Sequence, residues 1–140
     1  MSPRDTKTGG VLENMILPAL KNGGYAYQQQ VLVGNRIGGR RHLIDAVAER
    51  EGKKFLISLK WQQVGGTAEQ KVPFEMICLL QAVIDNAGKY EKAYLVLGGP
   101  GWSLRDFFTS GELEKYFKYA DKVDVINLEN FVGKANQGLL

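Results

Sequence analysis

The stretch R-R-H-L-I-D-A-V-A-E-R-E-G-K-K-F-L-I-S-L-K-W-Q, Arg40 to Gln62, decides how the rest of the chain is read. Two strand-like runs, 42–49 and 54–62, flank a tight Glu51-Gly52 turn. With a two-residue loop, Arg50 faces Lys53 and the numbers of opposed residues sum to 103. That register sets Asp45 opposite Ser58, with Lys60 two residues on and on the same face. Alternation groups Ile44, Ala46 and Ala48 with Phe55, Ile57 and Leu59, leaving Leu43, Val47 and Leu56 on the other face. Apolar residues on both faces predict a central, covered hairpin. A carboxylate beside a lysine on such a hairpin is costly unless it has work to do.

Upstream, Thr8 to Leu20 carries apolar residues at helical spacing. Pro18 should kink or end that helix, and Asn22-Gly23-Gly24 supplies a stop. Residues 25–33 suit a strand, and a glycine-rich loop over 34–39 leads into the hairpin. Downstream, Pro73 opens a helix that runs to Gly88, followed by a strand over 92–98 and a G-P-G-W loop. Residues 103–120 look helical but interrupted near Thr109-Ser110-Gly111; 123–128 make a fifth strand and a short helix closes the chain. The order α-β-β-β-α-β-α-β predicts an α/β fold with a mixed sheet, since a strand that follows a crossover helix runs parallel to a neighbour.

At 140 residues and 44% hydrophobic, the chain is expected to form one domain, 1–140, with a real core. No apolar run approaches a membrane span, and the start, M-S-P-R-D-T-K-T-G-G, lacks a signal peptide's apolar stretch. A single cysteine, Cys78, excludes an intrachain disulfide and a cysteine-rich zinc site. A cytoplasmic protein with no membrane partner is the simplest reading. Residues 1–60 carry ten Lys/Arg against five Asp/Glu, whereas 61–140 carry eight against ten. The basic half includes R-I-G-G-R-R at 36–41, which suits a polyanionic partner as well as a solvated surface.

Phosphodiester cleavage with a divalent ion needs carboxylates to hold the metal and a cation near the attacking water or the phosphate. Asp45 and Lys60 supply one of each. The second acid, expected two residues before the lysine, is replaced by Ser58.

The element order, with Asp45 on one strand and x-x-Lys60 on the next, resembles the PD-(D/E)XK nuclease superfamily over roughly residues 8–130. T-G-G-V-L-E, with Glu13 on the first helix, resembles the branch of archaeal Holliday-junction resolvases. The chain departs from the motif at Ile44, where proline is usual, and at Ser58. Some restriction endonucleases of the superfamily read Ser-x-Lys and recruit a glutamate from the next helix. Here Glu75 stands fourteen intervening residues after Lys60, with Glu69 in the preceding loop as its competitor. The run K-W-Q-Q-V-G-G-T-A-E-Q-K-V-P-F-E looks like such members. The resemblance implies a restriction-endonuclease-like core with Asp45 and Glu75 as metal ligands. It gives Lys60 the water or the phosphate, Glu13 an accessory role, and Gln62 a water or phosphate contact. It also implies Mg²⁺, with Mn²⁺ able to substitute, and DNA as partner, contacted by Arg36, Arg40, Arg41 and Lys71. Cutting both strands suggests a homodimer.

Each residue has a plainer reading. Asp45 and Lys60 alone would be a structural ion pair, Glu13 a solvated acid and Glu75 a favourable first-turn acid. His42, placed by alternation on the face away from Asp45, reads as structural or DNA-contacting. Trp61 reads as core and Cys78 as buried and inert. Trp102 either packs beneath its loop or meets a base or a partner subunit. The expected activity is a Mg²⁺-dependent DNA endonuclease of restriction or homing type. A junction resolvase, a nuclease fold kept as an inactive DNA-binding subunit, and a metal-free α/β binding module are the alternatives.

Overall fold

The computed structural model describes residues 6–140. Its sheet follows from the hairpin. Strands β2 (Arg41–Arg50) and β3 (Lys53–Trp61) pair antiparallel from Arg50↔Lys53 to Ala46↔Ile57, the register read from the turn. Glu51 and Gly52 both have positive φ, 55° and 78°, as a two-residue turn matched to strand twist requires. β1 (Ala26–Asn35) pairs antiparallel on the outer side of β2. β4 (Lys92–Gly98) and β5 (Val123–Asn127) continue beyond β3, each parallel to its neighbour. The sheet is therefore mixed, in the order β1-β2-β3-β4-β5.

Helices cover both faces, so the hairpin is central as expected. One core joins Leu56, Leu95 and Leu97 to Met76, Leu79 and Val83 of α3 (Val72–Asp85). Trp102 of the loop after β4, and Phe108 of α4 (Arg105–Thr109), belong to the same side. The other core joins Phe55, Ile57, Leu59 and Val96 to Leu12, Ile16 and Leu20 of the N-terminal helix and Phe131 of α5 (Leu128–Asn136). α5 starts where the Asn127 side chain accepts from the Asn130 amide, a cap worth about 1 kcal/mol. The interrupted helix expected over 103–120 is α4 followed by short 3-10 turns at Leu113–Tyr116 and Ala120–Lys122. Among the described residues no helix is long and apolar enough to cross a membrane.

Two expectations are corrected. Pro18 does not end the first helix. α1 (Thr6–Val11) passes through a π-helical segment, Leu12–Ile16, into α2 (Leu17–Asn22) with the proline in its first turn. Proline inside a regular helix loses a hydrogen bond and meets the carbonyl four residues back, at a cost of about 3 kcal/mol. Here the amide of Leu17 already reaches back five residues to Leu12, which widens the turn before the ring.

The second correction concerns β2. Ile44 packs with Val47 and Leu56 on the α3 side, whereas Ala46 and Ala48 face the opposite core. Two residues, Asp45 and Ala46, thus separate neighbours on one face where alternation allows one. On β1, Gln30 takes φ 52° between the pairs Gln29↔Ala46 and Val31↔Ile44. The pleat is broken at one rung in both strands, and that rung is Asp45.

Replacing Gly52 by alanine forces a Cβ into the left-handed region at φ 78°. It should cost about 1–2 kcal/mol in urea unfolding, with no change in the denaturant slope.

Candidate active site

The broken rung directs Asp45 at β3. Past Ala46↔Ile57 the strand pairing stops, and Asp45 Oδ2 accepts from the Leu59 amide at 2.7 Å. A charged acceptor on a main-chain donor is a strong hydrogen bond and orients the carboxylate. The next residue, Lys60, has its ammonium 3.8 Å from Glu75 Oε2. Glu75 stands in the first turn of α3, where the helix N-terminus favours negative charge, and is only 7% exposed. Two acids from different elements therefore converge on the two-residue segment Leu59-Lys60. Ser58 is buried on the same strand, paired with Leu95 of β4.

The other oxygen of Glu75 accepts from Arg36 Nη2 at 2.5 Å. Burial alone would lower the pKa of Arg36. The hydrogen bond and charge of Glu75, with a smaller part from the Cys78 sulfur, outweigh it and hold the guanidinium above its ordinary value. His42, assigned by alternation to the opposite face, is buried and shares the side of Ile44, beyond the broken rung. Burial, then the nearby charges of Arg36 and Lys60, lower its pKa, opposed in part by Glu75. Strict alternation could not find it, because the break that turns it inward leaves no mark in the hydrophobic pattern.

Glu69 is engaged elsewhere. Its carboxylate accepts from the Leu104 amide and the Ser103 hydroxyl, each at 2.7 Å, and these bonds lower its pKa. It ties the 3-10 turn Thr67–Lys71 to the start of α4. Gln62 is buried, and its side-chain amide donates to the Gly101 carbonyl at 2.7 Å while Oε1 has no described partner. The Gly98–Gly101 loop lies hard against this strand end, since a Cβ on Gly99 would stand 2.4 Å from the Gln62 carbonyl oxygen. Trp102 packs beneath the loop, its indole donating to the Gly98 carbonyl at 2.7 Å. Trp61 packs, half-buried, against the opposite core, and Cys78 is buried as expected. Glu13 is exposed on the π-helical segment and makes no hydrogen bond or ion pair with any described residue.

One opening borders Glu75 and a second borders its partner Arg36. A cavity of about 190 Å³ is lined by Lys60, Trp61, Lys71, Val72, Glu75 and Trp102. A groove of about 540 Å³ is lined by Arg36, Ile37, Gly38, Arg40, Arg41 and Phe74. A larger cleft of about 760 Å³ between α5 and the 109–114 segment holds none of the candidate residues. Among the described residues no group of three or more His, Cys, Asp or Glu side chains gathers closely enough to enclose a metal. Asp45 at the Leu59 amide and Glu75 at the Lys60 ammonium are nonetheless the donor type that a hard divalent ion takes, one or two protein acids with water and substrate oxygens completing its shell.

The family model for the PD-(D/E)XK nuclease superfamily domain matches residues 4–139. The chain belongs to the PD-(D/E)XK nuclease superfamily. Its α-β-β-β-α-β core is the restriction-endonuclease-like one, and nucleases of this superfamily generally use divalent metals. No curated protein sequence matches the chain significantly. A crystal structure of a protein of unknown function (AF1548) is similar in fold, with TM-score 0.52 and 17% identity. The match covers 81% of this chain and 54% of that one, so the PD-(D/E)XK chain spans about half the length of that neighbour.

The neutral state of His42 has a pH signature. Near pH 7 and above, folded and unfolded chains both keep the imidazole neutral. As pH falls through the ordinary histidine value of 6.5, the unfolded chain takes up a proton that the folded one resists. Stability is lost until the folded pKa is passed. His42→Gln should flatten the fall of Tm with acidification in melts between pH 7.5 and 5.

Proposed function

We propose that this domain is a Mg²⁺-dependent DNA endonuclease in which Asp45 and Glu75 hold the cation and Lys60 serves the reacting phosphate. The observation that carries the reading is the convergence of both acids on Leu59-Lys60, from two elements, beside a lysine. The engagement of Glu69 with Ser103 and Leu104 supports Glu75 as the second ligand. Bound there, Mg²⁺ or Mn²⁺ would supply Lewis-acid polarisation of the phosphate and acidify the attacking water. Asp45 is oriented by the Leu59 amide. Lys60, within reach of Glu75 and partly exposed, donates to the phosphate or to the attacking water as charge develops. Gln62 offers the unpartnered Oε1 to an ordered water, and Glu13 acts as an accessory acid. Arg40 and Arg41 on the hairpin, with Lys71 and Arg36, bind backbone phosphates, so affinity falls steeply with salt.

A two-fold dimer would cut both strands with one such site per chain. The Ser58-x-Lys60 and Glu75 arrangement favours a restriction- or homing-type enzyme over a junction resolvase. A second reading, an inactive DNA-binding subunit, is motivated by Ser58 and by the two cations already on Glu75.

Incubation with Mg²⁺ or Mn²⁺ and plasmid, linear and four-way-junction DNA separates these readings. The purified chain should cut at least one substrate, and Asp45→Ala and Glu75→Gln should abolish product while the fold persists. Lys60→Ala should lower kcat by about 100-fold or more with little change in DNA affinity. Binding without cleavage of any substrate, unchanged in Asp45→Ala, would establish the subunit reading instead.

A further inference from the structure

Arg36 belongs to two places at once. It lines the groove with Arg40 and Arg41, and it grips the carboxylate of Glu75 through Nη2. Its backbone is fixed in the tip of the β1–β2 hairpin, where the Arg36 amide donates to the Arg40 carbonyl and its own carbonyl accepts from Gly39. From there the side chain crosses to α3, its guanidinium 5.7 Å from the Phe74 ring centre. The groove's lining contains three arginines and no acid, so an anion entering it meets Arg36 directly. Glu75 is buried, with one oxygen on Arg36 and the other facing Lys60.

A divalent cation on Glu75 must share this small space with two fixed positive charges. We infer that Arg36 is a positioning residue that keeps Glu75 closed to metal until a DNA phosphate in the hairpin groove takes over its guanidinium. The inference rests on Glu75 being a metal ligand, as proposed above. Arginine suits the exchange because phosphate and carboxylate accept the same planar fork of N–H groups. Lys60 remains beside Glu75 after the exchange, available to the reaction. Coupling of this kind is reciprocal: whatever DNA does for metal affinity, metal does for DNA affinity by the same factor. Metal loading thus becomes conditional on substrate, and the free protein is spared metal-driven activity.

The test is Mn²⁺ binding to the purified full chain without DNA, followed by the electron paramagnetic resonance of free Mn²⁺. Arg36→Met keeps an aliphatic stem against Phe74 and removes the charge; it should tighten Mn²⁺ binding by about tenfold. Arg36→Lys, which keeps the charge but not the planar fork, should tighten it less than Arg36→Met, and Arg40→Gln, which removes a groove charge that does not touch Glu75, should tighten it far less. Adding a short duplex should tighten Mn²⁺ binding more for wild type than for Arg36→Met. Unchanged Mn²⁺ affinity in Arg36→Met, or an equal gain in Arg40→Gln, overturns the inference. Should Arg36→Met not fold, Arg36→Gln takes its place with the same expectation, and unchanged Mn²⁺ affinity in that variant overturns the inference. Glu75→Gln separates the two layers. If it weakens Mn²⁺ binding while Arg36→Met has no effect, the site stands and the latch falls. If it leaves Mn²⁺ binding and cleavage untouched, Glu75 is no ligand and both fall.

Discussion

A carboxylate buried in the first turn of α3 must be neutralised, and much of the molecule is arranged around doing so. Glu75 is 7% exposed, and the helix dipole alone does not offset the loss of hydration. Arg36 arrives from the β1–β2 hairpin and Lys60 from the end of β3. Three elements distant in sequence therefore meet at one charge. His42 sits within the same field and stays neutral under it, so the site gains no third fixed cation.

The hairpin register, the mixed sheet and the position of α3 were legible because each depends on local rules. A two-residue turn fixes pairing, and a crossover helix fixes strand direction. Glu75 came into view for a different reason: the resemblance says where a displaced acid would stand, and the fold puts that residue beside Lys60. What could not be read depends on single residues that break a period. Asp45 bonds to the Leu59 amide in place of continued strand pairing, and that break turns Ile44 and His42 to the α3 side. Alternation, applied across it, sends both to the wrong face. Of the two outcomes expected at Pro18, ending the helix is the one that fails, since the π-helical turn that accommodates the ring has no separate signature.

The partnership of Arg36 and Glu75 was invisible for a third reason. The residues lie 39 positions apart, and the loop carrying Arg36 offered phosphate contact as a sufficient account of its charge. Only the fold shows that the hairpin tip folds back over α3. The same holds for Glu69, whose sequence position competes with Glu75 but whose carboxylate is taken by Ser103 and Leu104.

With Glu75 as the second acid, as proposed above, the move from a strand to a helix changes what the site can do. An acid at position 58 would share the rigid strand of Lys60, and its distance from Asp45 would be set by the sheet. Ser58 is instead buried beside Leu95, and the proposed acid, Glu75, stands on α3 and meets the strand at Lys60. Its position then depends on how α3 packs and on which cation holds it. A strand-borne pair of acids repel each other in every state of the protein. A helix-borne acid can be held by an arginine in one state and released in another, at the cost of exchanging one charged partner for a second. Ser58 thus reads less as a lost ligand than as the condition for a site assembled from separate parts.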